Sequence, residues 1–298
     1  MKERFDYLRA SSIHDAVKLL NEPGVKSRPL SGGTDLVLLM RESPLICNRV
    51  IDISLIPELH RIYQQDNQIV IGASATFSEV IEAQLIQQTA PVLVQACAQV
   101  GAVQIRNMGT LGGNVANAAA CADSLPALVC LNAKATVVTP VSTQKIAVSD
   151  LVLGPNRTLI PQGGLITDLR YTIPPAGSQS VFIKLGRRNA MAISRLTVAA
   201  LGRQDDSGTI REVRLVPGSA TPQIRRFSTA EECLIGRLPE EALFRQAAEL
   251  VIEEMAQLAG RRWSSEFKEP VLTTMILRAL NKIFDKDDKD IEMAGKPK

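Results

Sequence analysis

The stretch RNMGTLGGNVANAAACADSLPAL, residues 106–128, is almost bare of large side chains. Between Gly109 and Ala122 the bulky apolar residues are Leu111 and Val115 alone. Gly112 and Gly113 stand side by side between Thr110 and Asn114. Glycine loses the most backbone entropy on folding and offers no side chain to pack, so helix and strand interiors disfavour a pair of them. The segment is therefore expected to be irregular backbone, pressed close against something that leaves no room for side chains.

A second segment has the same make-up: Ser31-Gly32-Gly33-Thr34-Asp35 beside Thr110-Leu111-Gly112-Gly113-Asn114. Each joins two glycines to a hydroxyl and a short polar residue. Such backbone can turn so that successive N–H groups converge, which suits an anion. A pyrophosphate has two phosphates, and two loops could clamp it from opposite sides. Neither segment fits the dinucleotide fingerprint G-x-G-x-x-G or the P-loop pattern G-x-x-x-x-G-K-[ST]. Read singly, each Gly-Gly is a tight turn. Gly163-Gly164 lacks the hydroxyl and short polar partners of the other two pairs, precedes a strand, and is read as a turn.

Around these segments short strands and helices alternate. Ser12 is the expected N-cap of a helix with Ile13, Ala16, Val17 and Leu20 on one face, ended by Pro23-Gly24. Strands are expected at 28–30, 50–53, 68–72, 135–139 and 165–173. Helices are expected at 36–41, stopping before Pro44, and at 91–100. Thr76 with Glu79 forms a capping box. Pro174 to Ser178 reads as a boundary. Beyond it, strands at 181–185, 196–201 and 212–216 form a separate sheet, followed by helices at 239–258 and 270–284. The first of these helices places Leu243, Ala247, Leu250, Val251 and Leu258 on one face. The second places Leu272, Met275, Ile276, Ala279 and Ile283 on one face. A length of 298 residues agrees with roughly two domains of ~150 residues. The division is 1–175, in two α/β lobes split near 55, then 176–284, then a charged, disordered tail at 285–298.

Charge and metal-ligand content exclude several classes. The net charge of +3 is too small to argue for nucleic acid or a membrane surface. No apolar run approaches the ~20 residues of a membrane span, and residues 1–5 have no signal-peptide core behind them, so the expected compartment is the cytoplasm. The 5 cysteines are odd in number and unpaired in spacing, unlike the compact thiolate sets of iron–sulfur sites. The 2 histidines, His14 in a helix's first turn and His60 in a loop, do not suggest a zinc site or a catalytic triad. No metal ligands and no catalytic side chains are expected.

In order and spacing, FDYLRASSIHDAVKLL, LSGGTDL, VIDIS, IGASATFSEV, QIRNMGTLGGNVANAAACADSLPAL and FIKLGRRNAMAIS resemble the FAD-binding medium subunits of molybdenum hydroxylases. That family includes xanthine dehydrogenase, carbon monoxide dehydrogenase and aldehyde oxidase relatives. The resemblance covers nearly the whole chain. It implies an α+β fold: a vanillyl-alcohol-oxidase-type FAD-binding domain followed by a smaller α/β C-terminal domain.

The resemblance also implies roles for particular residues. Pro29, Leu30, Ser31, Gly32, Gly33, Thr34, Asp35 and Leu36 correspond to the first pyrophosphate loop. Thr110, Leu111, Gly112, Gly113 and Asn114 correspond to the second. Asn117 and Asp123 fall at phosphate and ribose contacts. Val100 packs near the isoalloxazine, and Leu169 lies near the adenine. Lys184 approaches the isoalloxazine edge, where a cation favours the anionic reduced flavin. Read from the residues alone, Lys184 would be a solvated strand residue.

The implied function is electron transfer. Electrons pass from a 2Fe–2S small subunit through FAD to NAD or another acceptor, while a molybdenum-cofactor large subunit oxidises the substrate. Members that use NAD often carry acidic residues seven or eight positions after the lysine. Met191 and Ala192 stand there instead, which argues against NAD. Two other classes stay open: a self-contained flavin oxidase of the same fold, and a flavin-free structural subunit.

Overall fold

The structure is a computed structural model that describes residues 5–43, 46–188, 191–261 and 265–284. The expected stop at Pro44 and the charged tail at 285–298 lie outside them. The first sheet contains β1 (Asp6–Arg9), β2 (Ser27–Leu30) and β3 (Arg49–Asp52), all parallel with β3 central. α1 (Ile13–Leu20) joins β1 to β2, and α2 (Leu36–Glu42) precedes β3. Ser12 caps α1 by accepting from the Asp15 N–H, while the Asp15 carboxylate accepts from Ser11. Ala16, Val17 and Leu20 of α1 pack with Ile51 and Ile53 into this lobe's core. Helix α2 buries none of its residues, although it reads LVLLMRE.

The second sheet has the order β4-β5-β10-β6-β7. Its strands are β4 (Ile62–Gln65), β5 (Gln68–Gly72), β6 (Lys134–Val138), β7 (Thr143–Ala147) and β10 (Leu165–Thr172). The last strand runs antiparallel to both β5 and β6. Six short helices lie between β5 and β6: α3 (Phe77–Glu82), α4 (Gln84–Thr89), α5 (Pro91–Ala98), α6 (Val103–Met108), α7 (Leu111–Asn117) and α8 (Ser124–Cys130). α9 (Val148–Leu151) and the small hairpin of β8 (Val152–Gly154) and β9 (Arg157–Thr158) precede β10. The Thr76–Glu79 capping box forms on α3. Helix α5 stops at Ala98, not at Val100.

The paired glycines overturn an expectation. Gly112 and Gly113 are not irregular; they occupy the first turn of α7, which Thr110 caps. The propensity penalty for two glycines is about 2 kcal/mol at most. Burial of Leu111 and Val115 in the main core outweighs it. Helix α8 was invisible to periodicity because all of its residues are buried, so it has no polar face to contrast.

The third sheet, β11 (Gln179–Gly186), β12 (Ser194–Gln204) and β13 (Ile210–Gly218), is antiparallel. α10 (Ser228–Leu234), α11 (Glu241–Ala259) and α12 (Ser265–Phe284) follow. Strand alternation sends side chains to two different cores. Val181, Leu196, Val198 and Ala200 face these helices. Phe182, Ala199, Leu201 and Val216 join the core of the second sheet. The sheet is thus buried on both sides. The apolar stripe of α11 ends at Met255 rather than Leu258, which is exposed. α12 begins before Pro270, not at it, and the proline is tolerated inside its N-terminal half.

Candidate functional site

A cleft of about 1540 Å³ separates the first lobe from α7 and the β9–β10 connection. One wall is the turn from β2 into α2. Its lining includes Pro29, Leu30, Ser31, Gly32, Gly33, Thr34, Asp35 and Leu36. Gly33 has φ +72°, the left-handed region where a Cβ is strained. Val37 N–H closes onto the Gly33 carbonyl. The N–H groups of residues 31–36 have no acceptor among the described residues. Six donors in one bend, left unpaired beside a cleft, form a site for an anion.

The opposite wall contains Thr110, Gly112, Gly113, Asn114 and Asn117. Here the expectation of converging free N–H groups fails. Leu111 donates to Ala75 O, Gly112 to Ala73 O at 2.9 Å, and Asn114 to Thr110 O. Gly113 N–H donates to the Thr110 hydroxyl at 3.2 Å. The absence of side chains also has a local cause at two glycines. A Cβ on Gly112 would meet the Ala73 Cβ at 2.5 Å, and one on Gly32 would meet the Met108 carbonyl oxygen at 1.9 Å. Protein atoms, the Ala73 methyl and backbone at one glycine and the Met108 backbone at the other, occupy those spaces. Asn117 Nδ2 donates to Asp35 Oδ1 at 3.0 Å and bridges the two walls.

Other anticipated residues lie elsewhere. Leu111 and Leu169 are fully buried in the main core, and Leu169 is paired on both sides, to Ile71 and Ala135. Val100 packs at the edge of that core. Lys184 and Asp123 are brought together. Lys184 shares a face with Phe182, two positions earlier on β11, so it points at α5 and α8. Its ammonium donates to Asp123 Oδ2 at 2.6 Å and to Gln99 O at 2.8 Å. Both side chains are 6% exposed, so Lys184 is no solvated strand residue. An ammonium carries three donors, and the third has no acceptor among the described residues. The Ser194 hydroxyl donates to the other oxygen of Asp123. Burial pushes the Asp123 carboxyl above the usual carboxylate range, against the pull of Lys184 and Ser194.

Sequence reasoning missed Ser194, Gln99 and Ser74, whose hydroxyl accepts from Ser31 at 3.0 Å. Ser194 ended a motif that had been noted, but nothing local marked its partner. The Gly163-Gly164 turn forms as expected and also lines the cleft. His60 sits in a short 3-10 turn, with Nε2 against the Ser54 carbonyl at 2.7 Å.

A family model described as the FAD binding domain in molybdopterin dehydrogenase matches residues 3–175. The chain belongs to this family. A second model, the CO dehydrogenase flavoprotein C-terminal domain, matches residues 181–283 of this FAD-binding medium subunit. The xanthine dehydrogenase FAD-binding subunit of Escherichia coli O157:H7 is 28% identical, over 92% of this chain and 94% of that one. The nicotinate dehydrogenase FAD-subunit of Eubacterium barkeri is 30% identical, over 78% and 80%. Reconstituted CO dehydrogenase from Oligotropha carboxidovorans contains a chain that superposes with a TM-score of 0.88 at 26% identity, covering 95% of this subunit and 98% of that chain.

The donor set of this medium subunit fits FAD. Unpaired N–H groups and a left-handed glycine at 31–36 suit a pyrophosphate, and the cleft beside them is long. Lys184 and Asp123 are not among the residues that line the cleft. Among the described residues no helix is long and apolar enough to cross a membrane.

Proposed function

We propose that the subunit carries electrons out of a molybdenum hydroxylase complex, from a 2Fe–2S small subunit to an external acceptor. Substrate oxidation then belongs to a molybdenum-cofactor large subunit. The observation that carries this reading is the row of unpaired N–H groups from Ser31 to Leu36 on the wall of the cleft. When bound, FAD supplies the exchange between one-electron carriers and a two-electron acceptor.

The chain's own residues hold the cofactor. The 31–36 bend would bind the pyrophosphate, each charge-assisted hydrogen bond contributing ~1.5–3 kcal/mol. Asn117 and Asp35 hold the walls at a fixed spacing. Thr110 acts indirectly in this reading, by capping α7 so that its first turn stays packed on Ala73.

A complex is supported by an apolar surface beside the site. Val37, Leu38 and Leu39 of α2 and Val103, Ile105 and Met108 of α6 are all exposed. These exposed apolar side chains would be covered by a partner subunit. Relatives named as medium chains or FAD-subunits agree with a multi-subunit setting. Purification from the native host should give a yellow complex containing iron and molybdenum. A colourless monomer under gentle conditions would overturn the reading.

The acceptor is argued from the β11–β12 connection. Arg187 and Arg188 are exposed there, and no carboxylate occurs from 184 to 194. This rim suits phosphates but gives no acceptor for a nicotinamide carboxamide or ribose, so NAD is proposed to be a weak acceptor or to be held elsewhere. Stopped-flow mixing of dithionite-reduced complex with NAD tests this. Fast flavin reoxidation that depends on Arg187 or Arg188 would contradict it.

A further inference from the structure

Between β9 and β10 the chain passes from one core to another. Ile160 packs against the core of the second sheet, and Leu165, 3% exposed, belongs to the core of the first lobe. The residues between, Pro161-Gln162-Gly163-Gly164, all line the cleft. They form a turn in which Gly164 N–H donates to the Pro161 carbonyl at 2.8 Å and Gly163 takes φ +72°. A positive φ at the third residue of a turn calls for glycine. Asn21, which ends α1, also lines the cleft. Its side-chain amide donates to Val17 O at 2.7 Å and to Gly163 O at 2.9 Å. Among the described residues this is the sole hydrogen bond from 161–164 to the first lobe. The fit is close, since a Cβ on Gly163 would lie 2.2 Å from Asn21 Oδ1.

We propose that residues 161–164 are a strap over the cleft and that Asn21 is its latch: the cofactor enters and leaves when the hydrogen bond from Asn21 to Gly163 breaks. The inference rests on the reading above that the cleft holds FAD. The strap is anchored at both ends by the packing of Ile160 and Leu165, so movement falls to the residues between them. Adjacent glycines give that stretch the greatest backbone freedom. Elsewhere the walls are pinned together, Ser31 to Ser74 by a hydrogen bond and Gly32 against the Met108 carbonyl by close packing. Opening is therefore local to the strap. When Asn21 lets go of the Gly163 carbonyl, the glycines rotate and Gln162 swings off the cleft. A neutral hydrogen bond of this kind shifts such an equilibrium about 2- to 10-fold.

The test is the rate of FAD release and of FAD uptake by the purified complex, for wild type, N21A and S12A. Release is followed with an excess of a flavin-scavenging apoprotein, and uptake by adding FAD to flavin-stripped complex. A latch slows both directions, so N21A should speed release and uptake alike, each about 2- to 10-fold. S12A controls for the stability of α1, because it removes the N-cap of that helix and leaves the strap untouched. Its rates should equal those of wild type. A residue that only touched FAD, or only held the fold, would speed release without speeding uptake. Unchanged rates in N21A, faster release with unchanged or slower uptake, or S12A matching N21A would each overturn the proposal. If N21A is isolated without flavin, uptake decides alone. Hydrogen exchange at the Gly164 N–H of flavin-stripped complex reads the strap without any flavin. It should be faster in N21A than in wild type, and equal exchange overturns the latch. Failure of the wild-type complex to take up FAD would instead refute the reading on which this rests.

Discussion

A methyl group on Gly32 would sit 1.9 Å from the Met108 carbonyl oxygen, whereas one on Gly33 would meet only the side chains of Leu30 and Val37, at 3.2 and 3.4 Å. The neighbouring glycines thus answer to different forces, one to backbone packing and one to its positive φ. Gly32→Ala is expected to separate the two walls and lower the melting temperature, through overpacking of roughly 1–3 kcal/mol. Gly33→Val should leave the circular dichroism spectrum intact and abolish flavin retention, because the branched side chain resists φ > 0 at a cost of roughly 1–3 kcal/mol. A Gly33→Val protein that stays fully yellow would refute the phosphate loop. Cysteines offer a second check at this scale. Burial pushes the Cys130 thiol up to about 12 and raises Cys97 still further. Both should resist a thiol reagent at pH 8 until urea unfolds the chain, as mass spectrometry of labelled peptides would show.

At the scale of elements, the caps and turns are separable devices. Thr110→Ala removes the acceptor of the Gly113 N–H, and such a loss costs ~1 kcal/mol. It should also weaken flavin binding if α7 forms a working wall. The β12–β13 turn depends on Asp205, which accepts from Ser207, Thr209 and Arg211. These partners, the Ser207 hydroxyl foremost, lower its carboxyl to about 2. Because the folded value lies below the ordinary one of ~3.9, its stabilisation is present above that value and is lost as pH falls through about 2. The melting temperature of D205N should therefore lie below that of wild type from pH 7 to 5, with the gap closing towards pH 2. A gap independent of pH would count against the ionised turn.

For the whole molecule, the third sheet matters most. Its two faces belong to different cores, so the C-terminal helices and the flavin domain share one layer of strands. Unfolding should be a single transition by calorimetry, and residues 5–175 alone should aggregate, since the side of α5 and α8 that packs on Phe182 and Ala199 would face water. Two well-separated transitions would show that the units fold independently. The ion pair of Lys184 with Asp123 crosses the same junction. Lys184→Met would leave a buried carboxylate unpaired, at ~3–5 kcal/mol, and is expected to be among the most destabilising single changes.

The sequence by itself determined the elements whose cause is local. The caps at Ser12 and Thr76 depend on neighbours within four residues, and the alternation along β12 depends on a fixed period of two. It also marked both glycine segments, because a missing side chain is visible without a fold. It could not say why those side chains are missing. Gly112 is bare because Ala73 lies against it, and Gly32 because Met108 does; those pairs are 39 and 76 positions apart. The α7 helix was hidden because its paired glycines are poor helix formers, and α8 because burial of all its residues removes the polar stripe that periodicity needs. Ser194, Asp123 and Lys184 became one group only when β11 and β12 were laid across α8. Hydrogen bonds and ion pairs between distant segments depend on distance in space, and no local pattern in the chain encodes it.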